Sequence, residues 1–319
     1  MRKALFILLS AVVTLAQGQT YPSKPIRLIV PFAPGGSSEF VARTVSAEMA
    51  KGLGQNFVVE NKPGGAGVIA MGEVARAEPD GYTLIIGHIG TLAANPFMGQ
   101  ELPYDANRDF APISLLVKVV TLYVVHADVP VKDLKELIAL ARREPGKLNY
   151  GSAGNASAGH LAMEYLKLAT GGIDLQHVPY KGTGPMVIDL VAGRTQVGVA
   201  GTPPLLQHVK AGRLRAVAVG TPGRLAVLPG VGSVAEQGYP GFETSQWYGL
   251  IGPARMPDSV IKTLSEEAAK AVRSKAVLER LATESAIPVG STPREFAQFI
   301  AKEQARWKEV IQKAHIKAD

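Results

Sequence analysis

Hydrophobic and polar positions along the chain follow two different periods. Short runs rich in β-branched residues, separated by turn residues, are typical of buried strands; they are IRLIV, NFVVE, YTLIIG, LYVVH, KLNYG, LQHVP, QVGVA and LRAVAV. Amphipathic stretches with helical spacing lie between them; examples are residues 39–51, 131–143, 159–170 and 185–191. This alternation predicts an α/β fold in which mostly parallel sheets are flanked by helices on both faces.

The order of these elements predicts two sheets, and 319 residues is long for a single hydrophobic core. We expect the chain to cross between the sheets near residues 117–124 and to return along TSQWYGLIG, since the helical residues after it should pack on the first sheet. The predicted domains are residues 19–120 with 245–319, and residues 121–244, joined by two crossing strands at a hinge.

The first residues have the layout of a secretory signal peptide. Arg2 and Lys3 precede an apolar stretch that ends near Ala16, and small residues follow. A retained membrane anchor needs about 18 to 20 uninterrupted apolar residues, more than this stretch contains. We therefore predict that residues 1–18 form a cleaved signal peptide, with Ala16 or Gly18 as the last residue removed. The mature protein would then lie outside the cytoplasmic membrane.

Composition excludes several function classes. The chain has no cysteine, so disulfides, thiolate metal sites and cysteine nucleophiles are ruled out. The formal net charge of +7, about +5 without Arg2 and Lys3, is spread along the chain with no basic block. This argues against nucleic acid as a partner and mildly favours small anions. The six histidines show no paired ligand spacing, so we predict neither a metal nor a cofactor.

A glycine-rich loop, residues 34–39 with the sequence PGGSSE, follows the first predicted strand. Its two glycines allow a sharp turn and a close approach to a ligand, and Ser37 or Ser38 can cap the helix that follows. Free N–H groups and the positive end of the helix dipole would then favour an anion. Taken alone, the loop is also consistent with a capped turn that holds no ligand.

A second loop, residues 151–160, repeats this construction after a later strand. Its small residues leave backbone N–H groups bare, and Ser152, Asn155 and Ser157 add side-chain donors. His160 lies one turn into the following helix, where it either points at a ligand or packs and caps.

A third loop, residues 180–183, precedes a helix that begins near a proline and carries Lys181, the only fixed cation in the three loops. Lys181 is also consistent with an ordinary solvated surface charge. Three such loops together predict that a small anion, most simply a carboxylate, is held between two lobes. The candidate ligand-binding residues are Gly35, Gly36, Ser37, Ser38, Glu39, Ser152, Ala153, Gly154, Asn155, Ser157, His160, Tyr180, Lys181, Gly182 and Thr183.

At these residues the chain resembles the Bug family, the extracytoplasmic solute receptors of tripartite tricarboxylate transport systems. The resemblance covers nearly all of the mature chain, in order and with the expected spacing. It is carried by YPSKPIRLIVPFAPGGSSE, NKPGGAGVIA, PDGYTLIIG, NPFMGQELPYDANRDFAPISLL, PGKLNYGSAGNASAGHLAMEYL, VPYKGTGPMVIDLVAGR, VKAGRLRAVAV and PREFAQFIAKEQARWKEVI.

The resemblance implies a two-domain periplasmic-binding-protein (Venus flytrap) fold that closes on a small carboxylated solute. It implies a periplasmic, monomeric receptor that delivers its solute to a membrane permease of a large and a small subunit. It also implies that the loops at residues 34–39 and 151–160 hold the ligand, often through ordered waters, with a contribution from residues 180–183.

Two positions depart from the family pattern. Glu39 replaces the usual Asp, and its extra methylene is expected to carry the carboxylate further into the cleft, which puts an amino-acid ligand in doubt. The stretch AGTPP lacks the Asp or Asn expected near Gly201. Both differences should affect which solute is bound.

Other function classes fit the sequence less well. A serine hydrolase using Ser152 or Ser157 with His160 lacks the G-x-S-x-G signature and an evident orienting acid, so we predict no catalytic residues. GAGVIA, residues 65–70, matches a dinucleotide motif only weakly, and helix packing explains its glycines better. A receptor that signals to a membrane sensor kinase remains an alternative to one that serves uptake. Trp247 and Tyr248 either stack on an aromatic acid or fill the hinge.

Overall fold

The computed structural model describes residues 21–317, so the predicted signal peptide at residues 1–18 lies outside the described residues. Within them the chain forms strands and helices in alternation. The strands are β1 Ile26–Val30, β2 Phe57–Asn61, β3 Thr83–His88, β4 Phe110–His126, β5 Asn149–Ser152, β6 Gln176–Pro179, β7 Val197–Gly201, β8 Leu214–Val219, β9 Ser245–Pro253 and β10 Ala286–Pro288. The helices are α1 Ser37–Leu53, α2 Val68–Ala75, α3 Leu134–Arg143, α4 Ala158–Ala169, α5 Thr183–Val191, α6 Thr202–Lys210, α7 Asp258–Arg273, α8 Lys275–Thr283 and α9 Pro293–Lys313.

The strands pair in the order β2-β1-β3-β9-β4-β7-β5-β6, and β8 and β10 also pair with β4. β1 runs parallel to β2 and β3, and β5 runs parallel to β6 and β7. The antiparallel strands β4 and β9 lie between these two groups. The predicted α/β fold is confirmed, and each predicted strand run overlaps a strand. The sheet is mixed rather than mostly parallel, since four of the nine strand pairings in the described residues are parallel and five are antiparallel.

The long strand β4 connects the two groups of parallel strands. Its residues up to Val120 pair with β9, and its residues from Thr121 to Val125 pair with β7. The partner of β4 thus changes within the stretch where we expected the first crossing, and β9 begins at Ser245. We refer to residues 21–120 with 245–317 as the first half and to residues 121–244 as the second half; their division into two domains stays a prediction.

Alternating strand residues face opposite sides of the sheet, as the pleat requires. In β4, Leu122 and Val124 belong to one apolar cluster with α5 and α6, whereas Tyr123 and Val125 belong to another with α3 and α4. In the first half, one cluster packs under α1, α7 and α8 and the other under α2 and α9. Helices therefore cover both faces of the sheet in each half, which holds the carboxyl ends of the parallel strands in fixed positions.

The last helix, α9, packs on the first half. It begins with a capping box between Thr292 and Glu295, and its buried side chains Phe296 and Trp307 join the cluster that contains Ile85 of β3. Such an interior position matches the apolar spacing of α9 along the sequence. No helix among residues 21–317 is long and apolar enough to cross a membrane.

Candidate ligand-binding site

The structure brings together the three loops that follow β1, β5 and β6. Helices α1, α4 and α5 begin at these loops, as expected for ligand sites at the carboxyl ends of parallel strands. The first loop contacts the third, because the N–H of Ala33 donates to the carbonyl oxygen of Lys181 at 3.0 Å. Two adjacent cavities lie between the loops.

The inner cavity is small, with a volume of about 20 Å³, which is close to the space that one water molecule needs. The starts of α1, α4 and α5 border it through Ser38, Ser157 and Thr183. α1 and α5 have no side-chain cap, so their first N–H groups, and the positive ends of their dipoles, are available to an anion. The remaining lining residues are Phe32, His88, Ile89, Ala153, Ala158, Gly159, Val199, Ala200, Gln246 and Tyr248.

The outer cavity is larger, with a volume of about 250 Å³, near the lower end of the range for small-molecule sites. Phe32 and Ala153 line both cavities, so the two are adjacent. The other residues around the outer cavity are Gly64, Gly65, Ala66, Met98, Gln100, Gly154, Asn155, Ala156, Pro179, Tyr180 and Lys181. A solute of several carbon atoms fits the outer cavity, whereas only a terminal oxygen or a water fits the inner one.

Two alanines at the outer cavity have left-handed backbone conformations. Ala66 has a φ of 49° and Ala156 a φ of 56°, and they are two of only five non-glycine residues with positive φ among the described residues. This conformation costs about 1 kcal/mol or more for a residue with a Cβ. Strain of this kind is concentrated at ligand sites, where surrounding contacts hold the backbone in a shape that suits the ligand.

Asn155 lines the outer cavity and carries an unsatisfied donor. Its Nδ2 is buried and has no hydrogen-bond partner in the described structure. A buried donor without a partner is unfavourable, so an oxygen acceptor placed there by a ligand would be stabilised. Lys181 is exposed at the same cavity and adds a positive charge.

Tyr180 also lines the outer cavity, but its hydroxyl is engaged. It donates to Oδ2 of Asp189 at 2.9 Å. Burial and this carboxylate raise the pKa of Tyr180 to about 12, so the hydroxyl keeps its proton. Tyr180 therefore contributes its ring to the cavity wall rather than a free hydroxyl.

Ser152 and His160 shape the second loop and line neither cavity. The Oγ of Ser152 lies 2.7 Å from Nε2 of His177 and donates to the carbonyl oxygen of Gly154. His160 stacks on His177 with ring centroids 4.2 Å apart, and its Nδ1 accepts the N–H of Ala156 at 3.1 Å. Ser152 is completely buried, so it cannot reach a substrate as a nucleophile.

Several predicted residues of the first loop face away from the two cavities. Gly35, Gly36 and Glu39 line a separate, more open pocket. The carboxylate of Glu39 accepts the N–H of Gly35 at 2.7 Å and pairs with Arg43 at 2.8 Å, rather than extending into either cavity. Glu39 thus stabilises the turn of the first loop.

Ser37 lies behind the inner cavity, next to Gly201. Its Oγ is buried without a hydrogen-bond partner among the described residues, and a Cβ built on Gly201 would lie only 2.5 Å from it. A Cβ built on Gly182 would likewise lie only 2.9 Å from the backbone nitrogen of Ala33. The absence of a side chain at Gly201 is therefore what allows the two halves to approach each other here.

Further lining residues that follow other strands were not predicted from the sequence. His88 ends β3, and residues 64–66 follow β2, so both were accessible to the rule that ligands bind at the carboxyl ends of parallel strands. Gly67, in contrast, packs tightly against Thr91, as expected from helix packing.

Trp247 is buried in the core, where its Nε1 donates to Glu303, whereas Tyr248 lines the inner cavity.

His88 is buried and neutral. Burial lowers the pKa of its imidazole from the usual 6.5 to about 3. Its Nδ1 accepts the N–H of Gly90 at 3.0 Å, and its Nε2 has no partner among the described residues. His88 therefore places a neutral N–H donor beside the inner cavity. Separately, no group of three or more potential metal ligands occurs within residues 21–317.

Acid should destabilise the protein through His88. The unfolded chain takes up a proton at this imidazole below about pH 6.5, whereas the folded chain does so only near pH 3. Lowering the pH from 7 to 5 should therefore reduce the free energy of unfolding by about 2 kcal/mol through this residue. Urea unfolding of the wild type and of His88→Phe at both pH values measures it, because only the wild type carries this contribution. If the free energy of unfolding falls equally in the two proteins between pH 7 and pH 5, His88 accepts a proton in the folded state.

Comparison with known proteins agrees with this arrangement. The sequence profile of the tripartite tricarboxylate transporter family receptor matches residues 41–316. Protein BugT of Bordetella pertussis is 34% identical over 314 residues, which cover 98% of this chain and 96% of BugT. A solved structure described as a periplasmic transporter superposes with a TM-score of 0.90 at 41% identity, covering 94% of this chain and all of the other.

Two further solved structures hold organic acids. An R. palustris protein solved with adipate has a TM-score of 0.90 at 34% identity, covering 93% of this chain and 99% of the other. MatC from Rhodopseudomonas palustris, solved with bound malate, has a TM-score of 0.87 at 33% identity, covering 91% of this chain and 100% of MatC.

Proposed function

Because the chain belongs to the tripartite tricarboxylate transporter receptor family, whose members are transport receptors and not enzymes, we propose that it captures a small carboxylate between its two halves. The observation that carries this proposal is the convergence of the starts of α1, α4 and α5 on one cavity. Three helix starts of this kind stabilise a negative charge without a buried arginine. Two relatives were solved with the dicarboxylic acids adipate and malate, which supports the same chemical class of solute here.

We assign the anchoring contacts to the residues that line the cavities. One carboxylate oxygen reaches the start of the helices at Ser38, Ser157 and Thr183, directly or through a water in the inner cavity. The rest of the solute occupies the outer cavity, where Asn155 donates through Nδ2 and Lys181 supplies a positive charge. Ser37, Ser152, Glu39 and His160 support the loops and make no direct contact in this proposal.

Binding is coupled to closure of two lobes, residues 19–120 with 245–319 and residues 121–244. The anchoring residues come from both, since Ser38 lies in the first and Asn155 and Ser157 lie in the second. An open form offers only half of the contacts, so the solute shifts the equilibrium toward the closed form by its preference for that form. β4 and the segment leading into β9 are the connections about which the lobes move.

The receptor serves uptake through a tripartite tricarboxylate transporter. The family association supports delivery of the solute to a permease of a large and a small membrane subunit. The receptors of this family work in the periplasm, so residues 1–18 are proposed to direct export and to be cleaved. The mature receptor acts as a monomer.

A thermal-shift screen of the mature protein tests this function. The protein is unfolded and refolded to remove any bound solute, and is then exposed to aliphatic and aromatic carboxylates, each paired with its amide. A true ligand at 100 times its dissociation constant should add about 2.7 kcal/mol to the free energy of unfolding, a shift of several degrees. Equal shifts with acid and amide, or no shift with any acid, would contradict the proposal.

A further inference from the structure

His88 lies at the meeting point of the two cavities. It ends β3, is only 2% exposed and lines the inner cavity. Its ring packs on that of Phe32, with centroids 4.7 Å apart, and Phe32 lines both cavities. On the other side, a Cβ built on Gly67 would lie 3.5 Å from Nε2. Nε2 therefore lies between the inner cavity and the turn that borders the outer one.

The position of the proton on His88 follows from its hydrogen bond to Gly90. Nδ1 accepts the Gly90 N–H at 3.0 Å, so Nδ1 must present a lone pair. A neutral imidazole carries one N–H, which is then on Nε2. This N–H is buried, and no acceptor among the described residues satisfies it.

Two polar side chains that line the inner cavity bond to other groups. Oε1 of Gln246 accepts the hydroxyl of Tyr248, Oγ of Ser157 accepts the N–H of His160 at 3.3 Å, and neither oxygen bonds to Nε2 of His88. A buried N–H without an acceptor is unfavourable, so an oxygen that enters the cavity should be attracted to it. The inner cavity has room for one such oxygen.

We propose that His88 is a ligand-contact residue, whose Nε2–H donates to the solute carboxylate at the junction of the cavities, directly or through one water. This inference rests on the proposed function and adds a fourth strand end to the three loops. The contact needs no positive charge on the imidazole, since the helix starts and Lys181 already favour the anion. His88 instead supplies a fixed hydrogen-bond direction, which selects an acceptor at this point.

Two substitutions separate this contact from a purely structural role. His88→Asn retains an oxygen near the position of Nδ1, which can still accept the Gly90 N–H, but it has no donor at the position of Nε2. His88→Gln has an amide group near the position of Nε2 and loses the acceptor near Nδ1. The proposal predicts weaker binding in His88→Asn than in His88→Gln, whereas a role limited to holding Gly90 predicts the reverse order.

Calorimetric titration with adipate, malate and the acid that gives the largest thermal shift measures these differences. We expect His88→Asn to weaken binding about tenfold or more and His88→Gln to stay closer to the wild type, with thermal unfolding as the check on folding. In wild-type protein labelled with ¹⁵N at histidine, the Nε2–H resonance of His88 should move on binding. If His88→Asn binds as tightly as the wild type, or more tightly than His88→Gln, the proposed contact of His88 is wrong but the proposed function stands. If the wild type binds no carboxylate, the proposed function is wrong as well.

Discussion

Replacing Asn155 by Asp is expected to lower the affinity for a carboxylate by about a thousandfold. The substitution leaves the size of the side chain unchanged, but it converts the unpartnered Nδ2 donor at the outer cavity into a charged oxygen. Two like charges about 4 Å apart repel by roughly 4 kcal/mol at an effective dielectric constant of about 20, and each 1.4 kcal/mol is a factor of about ten in affinity. Calorimetric titration with the acid found in the thermal-shift screen measures the change.

Asn107→Asp is the matched control, because Asn107 is exposed and lines neither cavity. Its Oδ1 accepts Nε2 of Gln304 at 2.9 Å, and a carboxylate at this position can accept the same bond. The control should bind like the wild type and show that one added negative charge on the protein has little effect by itself. A loss of less than about tenfold in Asn155→Asp would place Asn155 outside the ligand contacts.

The sequence predicted most of the fold because buried strands leave a strong local signal. β1 and β5 are largely buried runs, each followed by a loop and a helix, and both were predicted. The sequence signal covered only the last part of β4, since its first part includes Pro112 and the polar Ser114. Those residues pair with β9, more than 130 positions later. Pairing over such a distance leaves no trace in the local pattern.

The loops of the site were predictable from the sequence, but the directions of their side chains were not. Ser37 and Ser38 are neighbours at the start of α1, and successive helical residues point about 100° apart. Only the structure shows that Ser38 lines the inner cavity while Ser37 packs against Gly201. The strand-end rule could have suggested His88, but only the pairing of β3 with β1 shows that it lies next to the first loop.

Contact between the halves depends on glycines whose importance only the structure reveals. A Cβ on Gly90, in the first half, would lie 2.3 Å from the carbonyl oxygen of Ala156 in the second. A Cβ on Gly184, in α5, would lie 2.1 Å from the carbonyl oxygen of Pro34. Both obstacles are backbone atoms, which cannot rotate out of the way. A single methyl group at either position would therefore clash with the backbone of the other half in this arrangement.

Gly184→Ala should therefore abolish closure and weaken carboxylate binding by at least about a hundredfold, since the solute would meet only half of its contacts. The fold itself should tolerate the change, because Ala is the better helix former and α5 does not need a left-handed residue at position 184. Gly223→Ala is the control, with no atom within 4 Å of the added Cβ and no positive φ. Small-angle scattering with and without ligand, together with titration, should show the wild type and the control becoming more compact while Gly184→Ala does not. If Gly184→Ala binds as tightly as the wild type, the contact between α5 and Pro34 is absent from the ligand-bound form, and the closure mechanism proposed for this receptor is wrong.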